Sequence, residues 1–324
     1  MKYNELGKTG LTVSQIAYGA LPVGPTQANF PVDKGAAIIR YALEQGINFI
    51  DTAQGYKTYN YIKQALQGWD KPIVINSKCA GASYEEMQNA LQEAERELGR
   101  MPDIFTLHAA RAGVDVFQVR AGALQCLIDS KKAGVIKAVG LSTHSAAVMK
   151  LAAQTPEIDV IHPLLNLRGL GIQDGSRDDM QAGIELAAAN GKGIYLMKVM
   201  AGGHLGKTYK EAIAYALTVK GVHSMAIGML SNSEIDANIA ALEGKDVPES
   251  TRVELGKIKK KLLVQTANCI GCHACENTCP NFAIKVDENS KAAVVDADKC
   301  ILCGYCVPKC PRFCLRLITD ATTI

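Results

Sequence analysis

The sequence predicts an α/β chain: a (β/α)8 TIM barrel followed by a small cysteine-rich α+β domain. Three observations carry this. Eight short apolar runs punctuate the first 242 residues, each followed by an amphipathic stretch. Those runs do not alternate with polar residues, which is how strands covered on both faces of a parallel sheet read. Nine of the eleven cysteines fall after residue 268. At 324 residues, with 48% hydrophobic and 21% charged, the chain can build a large core without a disordered tail.

In chain order, Glu5 to Val13 reads as a hairpin turning over Lys8 to Gly10, placed to close the bottom of the barrel. The strand candidates are Ile16–Gly19, Asn48–Asp51, Ile73–Asn76, Asp103–Leu107, Ala138–Leu141, Val160–Ile161, Gly193–Met197 and Met225–Gly228. Helices are expected over Asp33–Gln45, Ser83–Leu98 and Ser231–Leu242, after the first, third and last strands. Beyond Leu242 a connector with Gly244 and Pro248 leads into a lysine-rich helix over Ser250–Leu263, with Lys257, Lys259, Lys260 and Lys261 facing water. The expected units are therefore residues 1–242, a connector and linker helix over 243–263, and 264–324.

The last unit carries Cys269-x-x-Cys272-x-x-Cys275-x-x-x-Cys279-Pro280 and Cys300-x-x-Cys303-x-x-Cys306-x-x-x-Cys310-Pro311. This is the pattern of two [4Fe-4S] clusters in which the fourth cysteine of each run crosses to the other cluster. Cys269, Cys272, Cys275 and Cys310 would hold one; Cys300, Cys303, Cys306 and Cys279 the other. Structural zinc wants two Cys-x-x-Cys pairs, so the third and fourth cysteines of each run would be surplus. The segment from about Val264 to Leu317 resembles the bacterial two-cluster ferredoxins, whose short strand pairs wrap a pair of cubanes. Cys79, Cys126 and Cys314 read as packing residues.

Charge narrows the partners. The net +3 gives no reason to invoke nucleic acid. From Val264 onward six basic and six acidic residues cancel, so two loaded, oxidised clusters would leave that unit at about −4, suited to a redox partner with a basic docking surface. The start lacks a signal-peptide layout, and no apolar stretch approaches the ~18 residues of a spanning helix. The expected setting is an oxygen-poor cytoplasm, with no membrane contact.

Barrel enzymes place their chemistry where strands end, and here Asp51, Tyr56, Lys78 and His108 sit at or just beyond the ends of the second, third and fourth strands. An ammonium near a phenol favours its phenolate, so Lys78, held by Asp51, would make Tyr56 a usable general acid toward a carbonyl oxygen that His108 orients. Asp51-Thr-Ala-Gln-Gly-Tyr56, Asn76-Ser-Lys78, Thr106-Leu-His108, Leu6-Gly-Lys-Thr-Gly-Leu11 and Gly140-Leu-Ser142 together resemble the aldo-keto reductase family across most of the first 240 residues. The resemblance implies a carbonyl reductase, or alcohol dehydrogenase, of small substrates.

It also implies nicotinamide contacts at Ser142, His162 and Met197, with Asn238 toward adenine. His162 stands where a glutamine is usual, Met197 where an aromatic ring is usual, and Thr143 where an asparagine is common. Barrels often bind phosphate after strands seven and eight, here at Lys198, Gly202 and Gly203 and at Gly228 and Ser231, the latter leading into a helix N-terminus; His204 lies nearby. Glu234 falls where many members put an arginine for the 2′-phosphate, so NADH is expected over NADPH. A hydride carries two electrons and a cubane accepts one, so FMN in the same phosphate site is kept as a go-between. Two other readings stand beside the coupled enzyme: a conventional NAD(P)H carbonyl reductase with a structural or docking ferredoxin domain, and an electron carrier whose barrel is a non-catalytic scaffold.

Overall fold

The computed structural model describes residues 1–203, 205, 208–257, 260–312 and 314–319. His204 and Lys259, singled out above, lie outside them. β1 (Tyr3–Glu5) and β2 (Thr12–Ser14) form the N-terminal hairpin. Then β3 (Ile16–Gly19), β4 (Phe49–Asp51), β5 (Val74–Cys79), β6 (Ile104–His108), β7 (Ala138–Thr143), β8 (Val160–Pro163), β9 (Gly193–Leu196) and β10 (Ser224–Ile227) run parallel, each beside the next, and β10 pairs with β3 to close a barrel. All eight expected strands are present, with ends shifted by at most three residues.

Around the barrel run α1 (Val32–Glu44), α2 (Tyr59–Ala65), α3 (Tyr84–Leu98), α4 (Val116–Val119), α5 (Ala121–Lys132), α6 (Ala146–Gln154), α7 (Arg177–Ala189), α8 (Tyr209–Thr218) and α9 (Asn232–Leu242). α3 shows why such stretches are helical. Ser83 and Glu86 form a reciprocal capping box, Met87, Ala90, Leu91, Ala94 and Leu98 bury one face, and Gly99 ends the helix at φ 78°. The barrel floor is a separate apolar layer in which Leu6, Leu11 and Val13 of the hairpin pack on Phe49, Ile104 and Tyr195. The hairpin thus plugs the bottom, as its position in the sequence suggests.

The expected linker helix over 250–263 is shorter in the structure. α10 covers Glu249–Lys257, and Lys260–Val264 is a strand, β11, paired antiparallel with the chain's last strand, Leu315–Thr319. Lys260 and Lys261 are therefore strand residues. Local periodicity is blind to this because the partner lies more than fifty residues away. β12 (Ile284–Val286) and β13 (Ala293–Val295) form the other two-stranded sheet of this unit, and Leu315–Thr319 is β14. Among the described residues, no helix is long and apolar enough to cross a membrane.

The small unit sits over the carboxyl ends of the barrel strands. Gln27 Nε2 donates to the Cys303 carbonyl at 3.1 Å, and Gln173 Nε2 to the Pro280 carbonyl at 2.6 Å. A Cβ on Gly202 would stand 1.2 Å from the Ile301 carbonyl oxygen, so this turn must be glycine for the two units to meet as they do. Gly202 also has φ 68°, a left-handed conformation natural to glycine.

Candidate active site and cluster centres

Parallel register brings the strand ends together: Asp51 lies opposite Asn76, Lys78 opposite Thr106, His108 opposite Ser142, and Ser142 opposite His162. Lys78 Nζ donates to Asp51 Oδ1 and to the Thr52 carbonyl, both at 2.6 Å, and is 1% exposed. Asp51 Oδ1 also accepts from the Tyr195 hydroxyl (2.7 Å) and Asn76 Nδ2 (3.2 Å), while Asn76 Oδ1 accepts from Thr106 Oγ1 (2.6 Å). Burial pushes the Asp51 carboxyl up, but Lys78 and His162 outweigh it and hold it below the ordinary value. Burial pulls Lys78 below the ordinary ammonium value against the pull of Asp51.

Tyr56 stands over this pair, with Lys78 Nζ 5.1 Å from its ring centroid and His108 edge-on at 5.9 Å. Its phenol does not come down as the Lys78 charge alone implies. Burial, then the neighbouring Tyr305 and Asp51, push it well above the ordinary phenol value. His108 is held neutral, down to about 3, first by burial and then by Lys78. His162, stacked on Tyr195 at 3.8 Å, donates from Nδ1 to the Tyr195 carbonyl at 2.8 Å, which leaves Nε2 facing Asp51 Oδ1 at 3.9 Å.

This tetrad at the mouth of an eight-stranded barrel is matched by the model for the Aldo/keto reductase family over residues 15–212. The chain belongs to the aldo/keto reductase family. It is 26% identical over 299 residues to L-galactose dehydrogenase of Arabidopsis thaliana, covering 78% of this chain and 92% of that one. It is 26% identical over 172 residues to methylglyoxal reductase DkgA of Escherichia coli K12, covering 50% and 62%. The holo form of aldo-keto reductase AKR11C1 from Bacillus halodurans superposes with TM-score 0.64 at 21% identity, covering 79% of this chain and 96% of that one. A 4Fe-4S dicluster domain matches residues 268–314.

In this aldo/keto reductase the cysteines ring two cavities rather than converge on points. One is lined by Cys279, Cys300, Cys303 and Cys306, with Leu262, Ile301 and Leu317 among its walls. The other is lined by Cys269, Cys272, Cys275 and Cys310, and Cys314 also borders it. Each cavity takes three cysteines from one run and the fourth from the other. Among the described residues no three His, Cys, Asp or Glu side chains close on a single-ion site. Four thiols around each hollow are the donor set a cubane requires.

The residues named for the dinucleotide are less accommodating. Ser142, His162 and Met197 are buried, Ser142 Oγ donating weakly to the Leu107 carbonyl at 3.4 Å. Gly202 is covered by Ile301, and Gly203 lies in the same turn. Gly228 packs against Pro22. Ser231 caps α9, and Glu234 Oε2 takes the Leu230 amide at 2.5 Å, filling with a carboxylate a place where a phosphate would bind. Asn238 Nδ2 is turned back to the Glu234 carbonyl at 2.7 Å. With the small unit docked in this way, Ile301 stands over the Gly202 turn expected to meet the dinucleotide.

Sequence reasoning passed over five residues of this site. Asn76, Thr106 and Tyr195 each lie two residues before Lys78, His108 and Met197, so the strand period of two puts them on the same inward face and could have found them. His144, fully buried just past β7, carried no such signal. Neither did Tyr305, which reaches the barrel from Cys303-Gly304-Tyr305-Cys306. Tyr305 neighbours Tyr56, whose phenol it helps to push up, is edge-on to His108 at 6.0 Å, stacked on His144 at 6.4 Å and lies beneath the Lys198 ammonium at 5.4 Å.

Proposed function

We propose that this chain is an iron–sulfur oxidoreductase of aldo-keto reductase type, reducing a small carbonyl compound or oxidising the corresponding alcohol, with electrons exchanged through two [4Fe-4S] clusters. Residues 1–242 supply the chemistry and 264–324 carry the clusters. The observation that carries the reading is Tyr305, edge-on to His108 at 6.0 Å, which leaves one side chain between the tetrad and the Cys303–Cys306 ligand loop. When bound, each cluster supplies or accepts one electron.

The barrel residues do the proton work. Tyr56 holds the proton destined for the carbonyl oxygen, and neutral His108 orients that oxygen from the side. Lys78, fixed by Asp51 and the Thr52 carbonyl, stabilises the phenolate left behind. Asn76 and Tyr195 hold the Asp51 carboxylate in place.

A nicotinamide belongs to this reading through the family, with the small unit lifted from the Gly202 turn, and the Glu234 carboxylate favours NAD over NADP. In the test, the cluster-loaded protein is reduced anaerobically, freed of reductant and given NAD or NADP while the iron–thiolate absorbance is followed. Bleached clusters that regain colour as reduced nicotinamide forms support the reading; clusters that stay reduced with both nucleotides count against electron exchange with nicotinamide. Tyr56→Phe should abolish carbonyl turnover while leaving cluster reduction intact.

A further inference from the structure

Two features at the barrel mouth are unexplained by the tetrad. Tyr305 fills the mouth beside His108, on which both it and Tyr56 stand edge-on, the place reserved for the group that receives the Tyr56 proton. Beside it His144 is fully buried, and neither ring nitrogen has a hydrogen-bond partner. A neutral imidazole carries one donor and one acceptor, and polar groups so deeply buried are normally paired. The Tyr305 ring lies flat against this imidazole, edge-on to His108 and under the Lys198 ammonium. The surroundings form a slot for a flat six-membered ring with oxygen at one end.

We infer that Tyr305 is a removable stand-in for the ligand, and that the slot takes an oxygen-bearing conjugated six-membered ring, phenolic or quinonoid. This rests on the reading of Tyr56 as the proton donor. The incoming ring takes the place of the Tyr305 ring between His108 and His144 with its oxygen toward Tyr56, and a polar substituent meets the unpartnered imidazole. Lys198 over the ring face favours an electron-rich or anionic ring. Tyr305 sits between two cluster ligands, at a loop with Leu302 at φ 51° and Gly304 at φ 77°. Its departure shifts the backbone of Cys303 and Cys306, so an occupied slot is felt at one cluster site and not the other.

The test uses the full cluster-loaded chain and five probes: p-cresol, 4-hydroxybenzoate, duroquinone, toluene and cyclohexanol. Binding is measured by calorimetry, and the paramagnetic spectrum of the reduced clusters is recorded with and without p-cresol. Tyr305→Ala should bind p-cresol about tenfold or more tighter than the parent, because an internal competitor has gone. Toluene and cyclohexanol should bind at least tenfold more weakly than p-cresol, and p-cresol should perturb one of the two cluster signals in the parent. Tighter p-cresol than duroquinone marks a phenolic ligand, and the reverse a quinonoid one.

Tyr305→Phe, which keeps the ring, guards against a failure of Tyr305→Ala to load iron, and should show a smaller gain. His144→Phe should leave p-cresol affinity nearly unchanged but weaken 4-hydroxybenzoate, which carries a second polar group. Equal p-cresol affinity in parent, Tyr305→Ala and Tyr305→Phe would overturn the proposal, as would toluene binding as well as p-cresol. If Tyr56→Phe keeps full carbonyl turnover while Tyr305→Ala gains p-cresol affinity, the slot stands and the proposed reaction falls. The opposite pair of results leaves the reaction standing without the slot.

Discussion

The Lys78 ammonium and the Asp51 carboxylate meet at 2.6 Å with side chains 1% and 6% exposed, so neither charge has water to fall back on. Removing one partner of such a buried pair strands the other, at about 3–5 kcal/mol. Asp51→Ala and Lys78→Met should each lose stability on that scale in denaturant titrations, and the double variant should lose less than the sum. Carbonyl turnover should fall about 100-fold or more in each. Additive losses would mean that the pair is not coupled.

Three buried histidines make the barrel sensitive to acid. His108 is held down to about 3, His162 to about 4 and His144 well below its ordinary value, in each case first by burial. Unfolding frees each to protonate near pH 6.5, so stability is full above that pH and falls as the pH drops toward the folded values. With three protons taken up on unfolding, the slope is about 4 kcal/mol per pH unit between roughly pH 6 and 5. His144→Phe should flatten it by one proton, read from denaturation midpoints against pH, with no loss of stability at pH 8.

Gly202 is a steric test of docking. Gly202→Ala would drive a methyl into the Ile301 carbonyl and strain a left-handed residue. The small unit should lift, and protease cleavage around residues 243–263 should quicken severalfold while the barrel stays folded. Unchanged cleavage would mean that the two units do not hold this arrangement in solution.

The crossing of cysteines predicts which substitutions act alike. Cys310→Ser should damage the same cluster as Cys272→Ser, and Cys279→Ser the same one as Cys303→Ser, as judged by iron content and by which paramagnetic signal is lost. Only the second pair should alter barrel turnover, since Cys303 and Pro280 are among the residues that touch the barrel, through Gln27 and Gln173. Loss of coupling from Cys272→Ser alone would reverse the assignment of the nearer cluster.

The parts of the chain legible from sequence were those encoded locally. Barrel strands announce themselves as apolar runs, and the two cysteine runs state which thiols gather around each hollow. What escaped has its cause at a distance. β11 is a strand because β14 pairs with it, so a lysine-rich stretch after α10 reads as helix until its partner is seen. Tyr305 looks like a spacer between two ligands, and only docking brings it to Tyr56. The depressed phenol expected from Lys78 did not appear because that inference weighed one charge without the burial that the small unit imposes.

The interior of the small unit is thin in hydrocarbon. Among the described residues, Cys275, Cys279, Cys306 and Cys314 are buried with Ala283, Ile284, Ala292, Ala293, Ile301, Leu315 and Leu317, few aliphatic carbons to fold a domain by hydrophobic burial alone. On the proposed reading, an inorganic cube in each hollow would tie one cysteine run to the other. The unit's endurance would then be a kinetic quantity, set by how fast iron escapes rather than by an equilibrium between folded and unfolded chain.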